Sequence, residues 1–265
     1  MSLPTGPVWL IGCGNMGGAM LRRWIAADLE PGQVTVVTRT VRALPDGVRW
    51  LPAVPGGERP DVLVLAVKPQ QLDAVAPGLR GVRPGLLLSI LAGVEEAALA
   101  RRLEAGAIVR AMPNLPVAIG KGVTALFSRS ADPGVHALAE AFCAPLGLVE
   151  WIAEERLFDA VTALAGSGPG FVFRFADALA KAGAAIGLPG DQARRLVIAT
   201  LEGSALMAAA SDESPAALAD RVASPGGSTR EGLNVLDRGE ALVGLLTETL
   251  RAAERRNREM AASAR

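Results

Sequence analysis

The chain has 265 residues, of which 50% are hydrophobic and 20% are charged, so it can build a sizeable core in one or two domains. It carries 27 basic and 27 acidic side chains and no basic run, so we expect no nucleic-acid partner. No apolar stretch reaches the roughly 18 residues of a membrane span, and no positive charge precedes the first apolar run. We therefore expect no membrane partner and a cytoplasmic location.

Residues that commonly bind metals or relay protons are scarce. Cys13 and Cys143 are the only cysteines, and their separation fits neither a disulfide framework nor a zinc motif, so we expect reduced thiols and no metal. His136 is the only histidine, and tyrosine is absent. A reaction in this chain therefore needs a carboxylate, a hydroxyl, a lysine or the substrate itself as its proton source.

Apolar runs of strand length alternate with helical segments through the first half of the chain. The expected strands are residues 8–11, 34–37, 62–67, 86–91, 108–109, 123–127 and 148–152. The expected helices include residues 17–27, 95–104 and 134–142. Because the strands are continuously apolar, we predict an α/β fold with a Rossmann-type parallel sheet that helices cover on both faces.

Helix signals dominate the second half. Phe175 and Leu179 are spaced to share one helix face, and Ser214 followed by proline predicts a helix N-cap. We therefore divide the chain into a sheet domain, residues 1–154, and an all-helical domain, residues 155–265.

A glycine-rich turn follows the first strand and opens a helix. Its residues are Gly12, Cys13, Gly14, Asn15, Met16 and Gly17. The first glycine permits the tight turn, the second lets the backbone approach a pyrophosphate, and the third allows close helix–strand packing. The pyrophosphate then lies at the positive end of the helix. The pattern predicts a dinucleotide cofactor, and the alternative is a glycine-rich turn without a ligand.

The second strand ends without the acidic residue that NAD sites place roughly 20 residues beyond the glycine motif. Thr38, Arg39 and Thr40 follow it instead. Arg39 can pair with a 2′-phosphate while the two hydroxyls donate to it, so we expect NADPH as the preferred cofactor, with NADH also accepted. The alternative is a solvated surface arginine.

The third strand of the predicted cofactor site is followed by a proline, which ends the strand. The segment is Ala66, Val67, Lys68 and Pro69. It falls at the carboxyl edge of the sheet, where open α/β folds bind ligands. We expect Lys68 to contribute backbone there rather than a catalytic amine.

Six segments, in order along the chain, resemble the pyrroline-5-carboxylate reductase family. They are residues 12–17, 66–69, 89–93, 110–116, 166–169 and 224–229. The last, Ser-Pro-Gly-Gly-Ser-Thr, is the most specific of them. The resemblance implies hydride transfer from NAD(P)H to the imine carbon of pyrroline-5-carboxylate, which gives proline. It also implies a homodimer through interleaved helical domains, and a decamer as a larger assembly.

The resemblance also assigns residues. By this resemblance, the nicotinamide pocket would be lined by Ile90, Leu91, Ala92, Met112, Pro113 and Asn114. The substrate would be faced by Gly227, Ser228, Thr229 and Asp212, together with Asn114. Thr229 would be the catalytic hydroxyl. The chain departs from the family at Ser228, where many members have threonine or alanine, and at Val54, where some have a polar residue towards the adenosine.

Imine reduction suits a chain with so few proton donors. A ketone leaves an alkoxide that needs a positioned acid, whereas a basic imine is protonated before the hydride arrives. Positioning then becomes the main task, and it is worth about 7–11 kcal/mol of the barrier. Residues 225–229 suit capture of a carboxylate by backbone N–H groups at a helix start. The alternative for this segment is an ordinary glycine-rich turn, with Thr229 as a helix cap.

Two other functions stay open at this stage. A β-hydroxyacid dehydrogenase of the same two-domain plan would place a lysine after a glycine-rich segment near the domain junction. Residues 166–174 contain no lysine, and Lys181 lies too far along the helix. A non-catalytic NADPH-binding protein would leave residues 224–229 without a role.

Overall fold

The computed structural model describes residues 3–40 and 43–263. Contacts divide the chain into two compact units, one running to Ser167 and resuming at Ala253, and the other spanning Gly168–Ala252. This division follows contacts alone, and the domain boundary after residue 154 stays a prediction. Within the described residues, no helix combines the length and apolar character that crossing a membrane requires.

The first unit is built on a single sheet of eight strands in the order β3-β2-β1-β4-β5-β6-β7-β8. The strands are β1 Val8–Ile11, β2 Val34–Val37, β3 Arg49–Leu51, β4 Val62–Leu65, β5 Leu86–Ser89, β6 Ala107–Pro113, β7 Gly122–Phe127 and β8 Gly147–Trp151. Every position of β1, β2, β4 and β5 is buried, as continuous apolar runs predict for a sheet covered on both faces. The predicted Rossmann-type fold is confirmed.

The sheet differs from the sequence-based expectation in two places. Strand β3 was not expected, because it has only three residues and its first two are exposed. Strand β7 runs antiparallel to β6, so the expectation of a wholly parallel sheet is wrong at this pair. The short helix Leu115–Ile119 joins the two strands, and so short a connection favours an antiparallel return over a parallel crossover.

Helices cover both faces of the sheet. The α-helices of the first unit are α1 Asn15–Ala26, α2 Leu72–Val75, α3 Glu96–Ala100, α4 Pro133–Cys143 and α5 Phe158–Val161. On one face, the Trp24 ring of α1 stacks on Phe142 of α4 at 4.2 Å, and its Nε1 donates to the Phe142 carbonyl at 2.8 Å. On the other face, Leu72 and Leu99 pack against the strands.

A buried ion pair joins the middle of β6 to the segment before α5. Arg110 Nη1 and Glu155 Oε1 are 2.9 Å apart, and the two side chains are 5% and 13% exposed. The Glu155 carboxylate also accepts from the Glu96 backbone N–H at 2.6 Å and from Arg129 at 3.1 Å. Burial lowers the pKa of the Arg110 guanidinium, and the Glu155 charge opposes that shift. One carboxylate therefore joins β6, the start of α3 and the segment after β7.

We expect Glu155→Ala to lower the free energy of unfolding by about 3–5 kcal/mol, because it leaves the Arg110 charge buried without its partner. The neighbouring Glu154→Ala is the matched control, since Glu154 pairs with Arg156 at 2.6 Å on the surface and such pairs contribute about 0–1 kcal/mol. Urea unfolding at one fixed protein concentration measures both. Equal losses in the two variants would contradict a special role for the buried pair.

The second unit is helical and buries little of its own apolar surface. Its helices are α6 Gly168–Ala185, α7 Gly190–Ala209, α8 Pro215–Arg221, α9 Ser228–Leu236 and the first part of α10 Ala241–Ser263. The buried hydrophobic residues of this unit are Ala176, Ala193, Val197 and Ala223. Large apolar side chains are exposed on every one of its long helices, including Phe173, Phe175, Leu196, Leu206, Val235 and Leu246. Exposed apolar surface of this extent marks an interaction surface.

We expect Phe175→Asp to dissociate a complex formed through this surface, because it places a charge on an apolar helix face that carries both Phe175 and Leu179. Lys181→Ala is the control, since Lys181 pairs with Asp177 on the same helix at 2.8 Å, exposed to solvent. Light scattering at micromolar concentration measures the mass of each variant. A stable, active monomer of the unmodified chain would refute the prediction.

Candidate active site

The turn between β1 and α1 places its glycines as a dinucleotide site requires. Gly12 has φ +87°, its N–H donates to the Val37 carbonyl at 2.8 Å, and a Cβ there would lie 2.8 Å from the Ala66 carbonyl oxygen. A Cβ on Gly17 would lie 3.2 Å from that of Ala66, whereas one on Gly14 would meet nothing within 4 Å. The space before the helix is therefore open at Gly14, where a phosphate would approach the helix N-terminus.

A cleft of about 580 Å³ begins at this turn and is lined by the loops that follow β1, β2 and β4. It brings together Gly12–Gly14, Thr38–Thr40 and Ala66–Lys68, which the sequence placed in one cofactor site. Among the residues that the structure describes, the lining includes the cations Arg39 and Lys68 and contains no Asp or Glu. A site with this charge attracts phosphates, so the residues present fit a dinucleotide.

The end of the cleft at β2 is suited to an adenosine phosphate. Arg39 and Thr40 are exposed, and Thr38 is half-buried. Among residues 3–40 and 43–263, no carboxylate forms an ion pair with Arg39. Val54 also lines the cleft and offers no polar contact there.

Lys68 contributes to the cleft through both its backbone and its side chain. Its backbone N–H donates to Gln71 Oε1 at 3.2 Å, and its carbonyl accepts from the Gln71 N–H at 2.8 Å, which closes the short helix Pro69–Gln71. Its side chain is exposed along the cleft wall. The backbone therefore shapes the turn, and the ammonium group adds positive charge.

The residues expected around a nicotinamide do not all present side chains to one place. Ala92 packs with Met112 and Phe158 in one cluster. Leu91 is buried in the core on one face of the sheet, and Ile90 packs against the core on the other. Leu91 could therefore line a pocket only through backbone, Ile90 is half-buried, and Ala92 and Met112 share one apolar wall.

Asn114 is buried and bonded to backbone at both ends of its amide. Its Nδ2 donates to the Ala165 carbonyl at 3.0 Å, and its Oδ1 accepts from the Val123 N–H at 2.8 Å. One amide hydrogen remains for another acceptor. The side chain holds the end of β6 against β7 and the segment Thr162–Gly166, a role that the sequence alone did not indicate.

The segment expected to face the substrate lies in the second unit, at the start of α9. Gly226 has φ +70°, which favours glycine, and a Cβ on Gly227 would lie 2.6 Å from Ser224 Oγ and 3.1 Å from the Ser224 carbonyl oxygen, so a larger residue at position 227 would crowd Ser224. Gly227 is the N-cap of α9, and no side chain caps the helix. The alternative that Thr229 caps this helix is therefore wrong. Ser228 and Thr229 are exposed.

Asp212 also lies in the second unit, in the exposed turn between α7 and α8. Ser214 caps α8 by accepting from the Ala217 N–H at 3.2 Å, and Pro215 begins the helix, as the sequence predicted.

The single histidine lies away from the cleft. His136 on α4 stacks on Trp151 of β8 at 4.0 Å, and its Nε2 is 2.8 Å from the Ser130 carbonyl oxygen. Strand β8 is at one edge of the sheet, and β1, which leads into the cleft, is inside it. In the part of the chain that the structure describes, no His, Cys, Asp and Glu side chains group closely enough to hold a metal ion.

Comparison with known proteins covers both halves of the chain. A family model described as pyrroline-5-carboxylate reductase dimerisation matches residues 155–260, and one described as NADP oxidoreductase coenzyme F420-dependent matches residues 7–93. The pyrroline-5-carboxylate reductase of Synechocystis sp. is 37% identical over 98% of this chain and 99% of its own. The pyrroline-5-carboxylate reductase of Thermus thermophilus is 38% identical over 96% of this chain and 98% of its own. The chain belongs to the pyrroline-5-carboxylate reductase family.

Solved structures agree with this family. A pyrroline-5-carboxylate reductase from Coxiella burnetii has a TM-score of 0.87 and 32% identity, covering 97% of this chain and 98% of that one. A Plasmodium falciparum pyrroline carboxylate reductase with NADP bound has a TM-score of 0.81 at 24% identity, covering 98% and 100%, and shows the shared fold. The predicted fold, a Rossmann-like domain followed by a helical dimerisation domain, is confirmed.

We expect Arg39→Ala to raise the Michaelis constant for NADPH and to leave that for NADH nearly unchanged, because only NADPH carries a 2′-phosphate for the guanidinium to pair with. A hydrogen bond to a charged group contributes about 1.5–3 kcal/mol, so a rise of roughly 10- to 150-fold is expected. Steady-state kinetics with both cofactors measure it. Equal changes for NADPH and NADH would show that Arg39 does not recognise the 2′-phosphate.

Proposed function

We propose that the chain reduces 1-pyrroline-5-carboxylate to L-proline with NAD(P)H, the last step of proline biosynthesis. The observation that carries the proposal is the cleft after β1, β2 and β4, whose described lining residues include two cations and no carboxylate. The chain is also related over nearly its whole length to pyrroline-5-carboxylate reductases. NADPH is the preferred cofactor in this proposal, and NADH is also accepted.

The first unit would hold the cofactor. The turn Gly12–Gly17 and the start of α1 receive the pyrophosphate, and Thr38, Arg39 and Thr40 receive the adenosine 2′-phosphate. Ala66, Val67, Lys68 and Pro69 form the opposite wall of the cleft. The bound nicotinamide supplies the hydride for the imine carbon. Ala92 and Met112 form the apolar wall for the ring, with backbone from Ile90, Leu91 and Pro113, while Asn114 fixes the end of β6.

The second unit would hold the substrate. The start of α9 points backbone N–H groups outward at its positive end, so Gly227 and Ser228 suit the substrate carboxylate. The Thr229 hydroxyl can accept from the N–H of a protonated imine and donate to the product amine without titrating itself. Asp212 belongs to this substrate site in the proposal, as the acidic residue before α8. A basic imine nitrogen needs no strong acid, which suits a chain with a single histidine.

Assembly is part of the same proposal. Residues 155–265 would form the dimerisation domain of a homodimer, with a decamer as the larger assembly. The support is the family model over residues 155–260 and the exposed apolar side chains of Gly168–Ala252. We place the enzyme in the cytoplasm, without nucleic acid or membrane as a partner.

The direct test follows the oxidation of NADPH with pyrroline-5-carboxylate as substrate, and then with 3-oxoacids. Rapid oxidation with the imine and none with the oxoacids is expected. Turnover of an oxoacid in place of the imine would favour a β-hydroxyacid dehydrogenase. Tight NADPH binding without turnover of either substrate would indicate a binding protein.

We expect Thr229→Val to lower kcat/KM by about 10- to 150-fold, because it removes a hydrogen bond to a charged group worth roughly 1.5–3 kcal/mol. Valine keeps the side-chain shape. NADPH affinity should not change, since the glycine turn that receives the cofactor phosphates belongs to the other unit.

Thr249→Val is the matched control, because the Thr249 hydroxyl only donates to the Leu245 carbonyl within α10, at 2.8 Å. It should alter the melting temperature slightly and leave kcat/KM intact. A Thr229→Val enzyme with a lowered melting temperature and normal kcat/KM would show that the hydroxyl acts on stability alone.

A further inference from the structure

A side chain of the edge strand β3 donates a hydrogen bond to the turn that carries Arg39. Trp50 lies on β3 in register with Val36 of β2. Its ring is 38% exposed, yet its Nε1 donates to the Thr38 carbonyl at 3.0 Å. Trp50 does not line the cleft itself. Its contact is with the backbone of the turn rather than with the space for a ligand.

Among the described residues, the turn Thr38–Thr40 makes two further hydrogen bonds. The Thr38 N–H donates to the Leu51 carbonyl at 3.1 Å, and the Thr38 hydroxyl lies 3.4 Å from the Thr40 carbonyl. The first bond comes from the same strand β3, and the second is long and internal to the turn. Strand β3 therefore sets where the turn lies relative to the cleft.

Strand β3 is itself weakly held outside these bonds. It has three residues and pairs only with β2. The Arg49–Glu58 ion pair beside it is 2.8 Å long but nearly half exposed on both sides, and such pairs contribute little. Among the described residues, the Trp50 indole is the one β3 side chain that forms a hydrogen bond with the turn, so it is the side-chain anchor of residues 38–40.

We propose that Trp50 is a positioning residue for cofactor choice: its indole N–H fixes the Thr38–Thr40 turn so that Arg39 meets the adenosine 2′-phosphate. This rests on the proposed role of Arg39. An arginine on a loose turn loses conformational freedom when it binds a phosphate, and a fixed turn reduces that loss. NADH has a hydroxyl at this position, so it gains nothing from the fixed turn.

The test measures the dissociation constants of NADP⁺ and NAD⁺ by titration calorimetry on Trp50→Phe. Phenylalanine keeps an aromatic ring on β3 and removes only the N–H donor. One neutral hydrogen bond corresponds to about a threefold to tenfold weaker binding of NADP⁺, with NAD⁺ binding nearly unchanged. Equal weakening of both cofactors, or no change in either, would overturn the proposal.

Trp151→Phe is the matched control. Trp151 Nε1 donates to Glu140 at 2.7 Å, and its strand β8 lies at the opposite edge of the sheet. It should leave both dissociation constants unchanged. The Trp50→Phe chain should fold, because the hydrogen bond between Trp50 and Thr38 is exposed and water can replace the indole N–H. A large fall in its melting temperature would contradict the positioning role and indicate a structural one.

Arg39→Ala and the double variant separate this inference from the function it rests on. If Arg39→Ala weakens NADP⁺ selectively, adding Trp50→Phe should have little further effect, since the group being positioned is gone. Additive losses would show that Trp50 acts independently of Arg39 and would overturn the inference alone. An Arg39→Ala chain with unchanged selectivity would overturn both the inference and the proposed 2′-phosphate site.

Discussion

The arrangement of the candidate site depends on the ion pair between the Glu155 carboxylate and Arg110. The carboxylate lies below the surface with Arg110 and accepts from the Glu96 backbone as well. The Arg110 guanidinium lies 4.2 Å from the centre of the Phe158 ring, and Phe158 packs on Met112. Because a buried charge without a partner is costly, these elements hold one arrangement. The apolar wall proposed for the nicotinamide is thereby fixed by a charge that does not touch it.

The sequence indicated this fold because burial and backbone geometry leave plain signals. Continuous apolar strands, the glycines at the turn after β1 and the Ser214 cap each follow from one local physical requirement. Strand β3 has no comparable apolar pattern in the sequence, because its first two residues, Arg49 and Trp50, are exposed and do not form an apolar run. Its effect on the turn at Thr38 arises only when the edge strand pairs with β2, and that is a tertiary event.

The same limit applies to Asn114 and Glu155. A motif can place Asn114 near a site, but its bonds to the Val123 and Ala165 backbone depend on β7 returning antiparallel. Glu155 and Glu154 are neighbours with the same side chain, and one is buried with Arg110 while the other pairs with Arg156 in solvent. Propensity and spacing cannot distinguish them, because the difference lies in which one faces Arg110 in the folded chain.

The scarcity of titrating side chains and the exposed apolar surface of the helical unit both connect catalysis with assembly. With one histidine and no tyrosine, the chain suits catalysis that depends more on holding two reactants than on proton relay, and such positioning depends on rigidity. The unit Gly168–Ala252 buries only small residues and Val197, which is too little for a rigid body on its own. Association through its apolar side chains would supply the missing core. On the proposed function, a partner subunit would then be a condition for holding the substrate, and assembly would belong to the catalytic design.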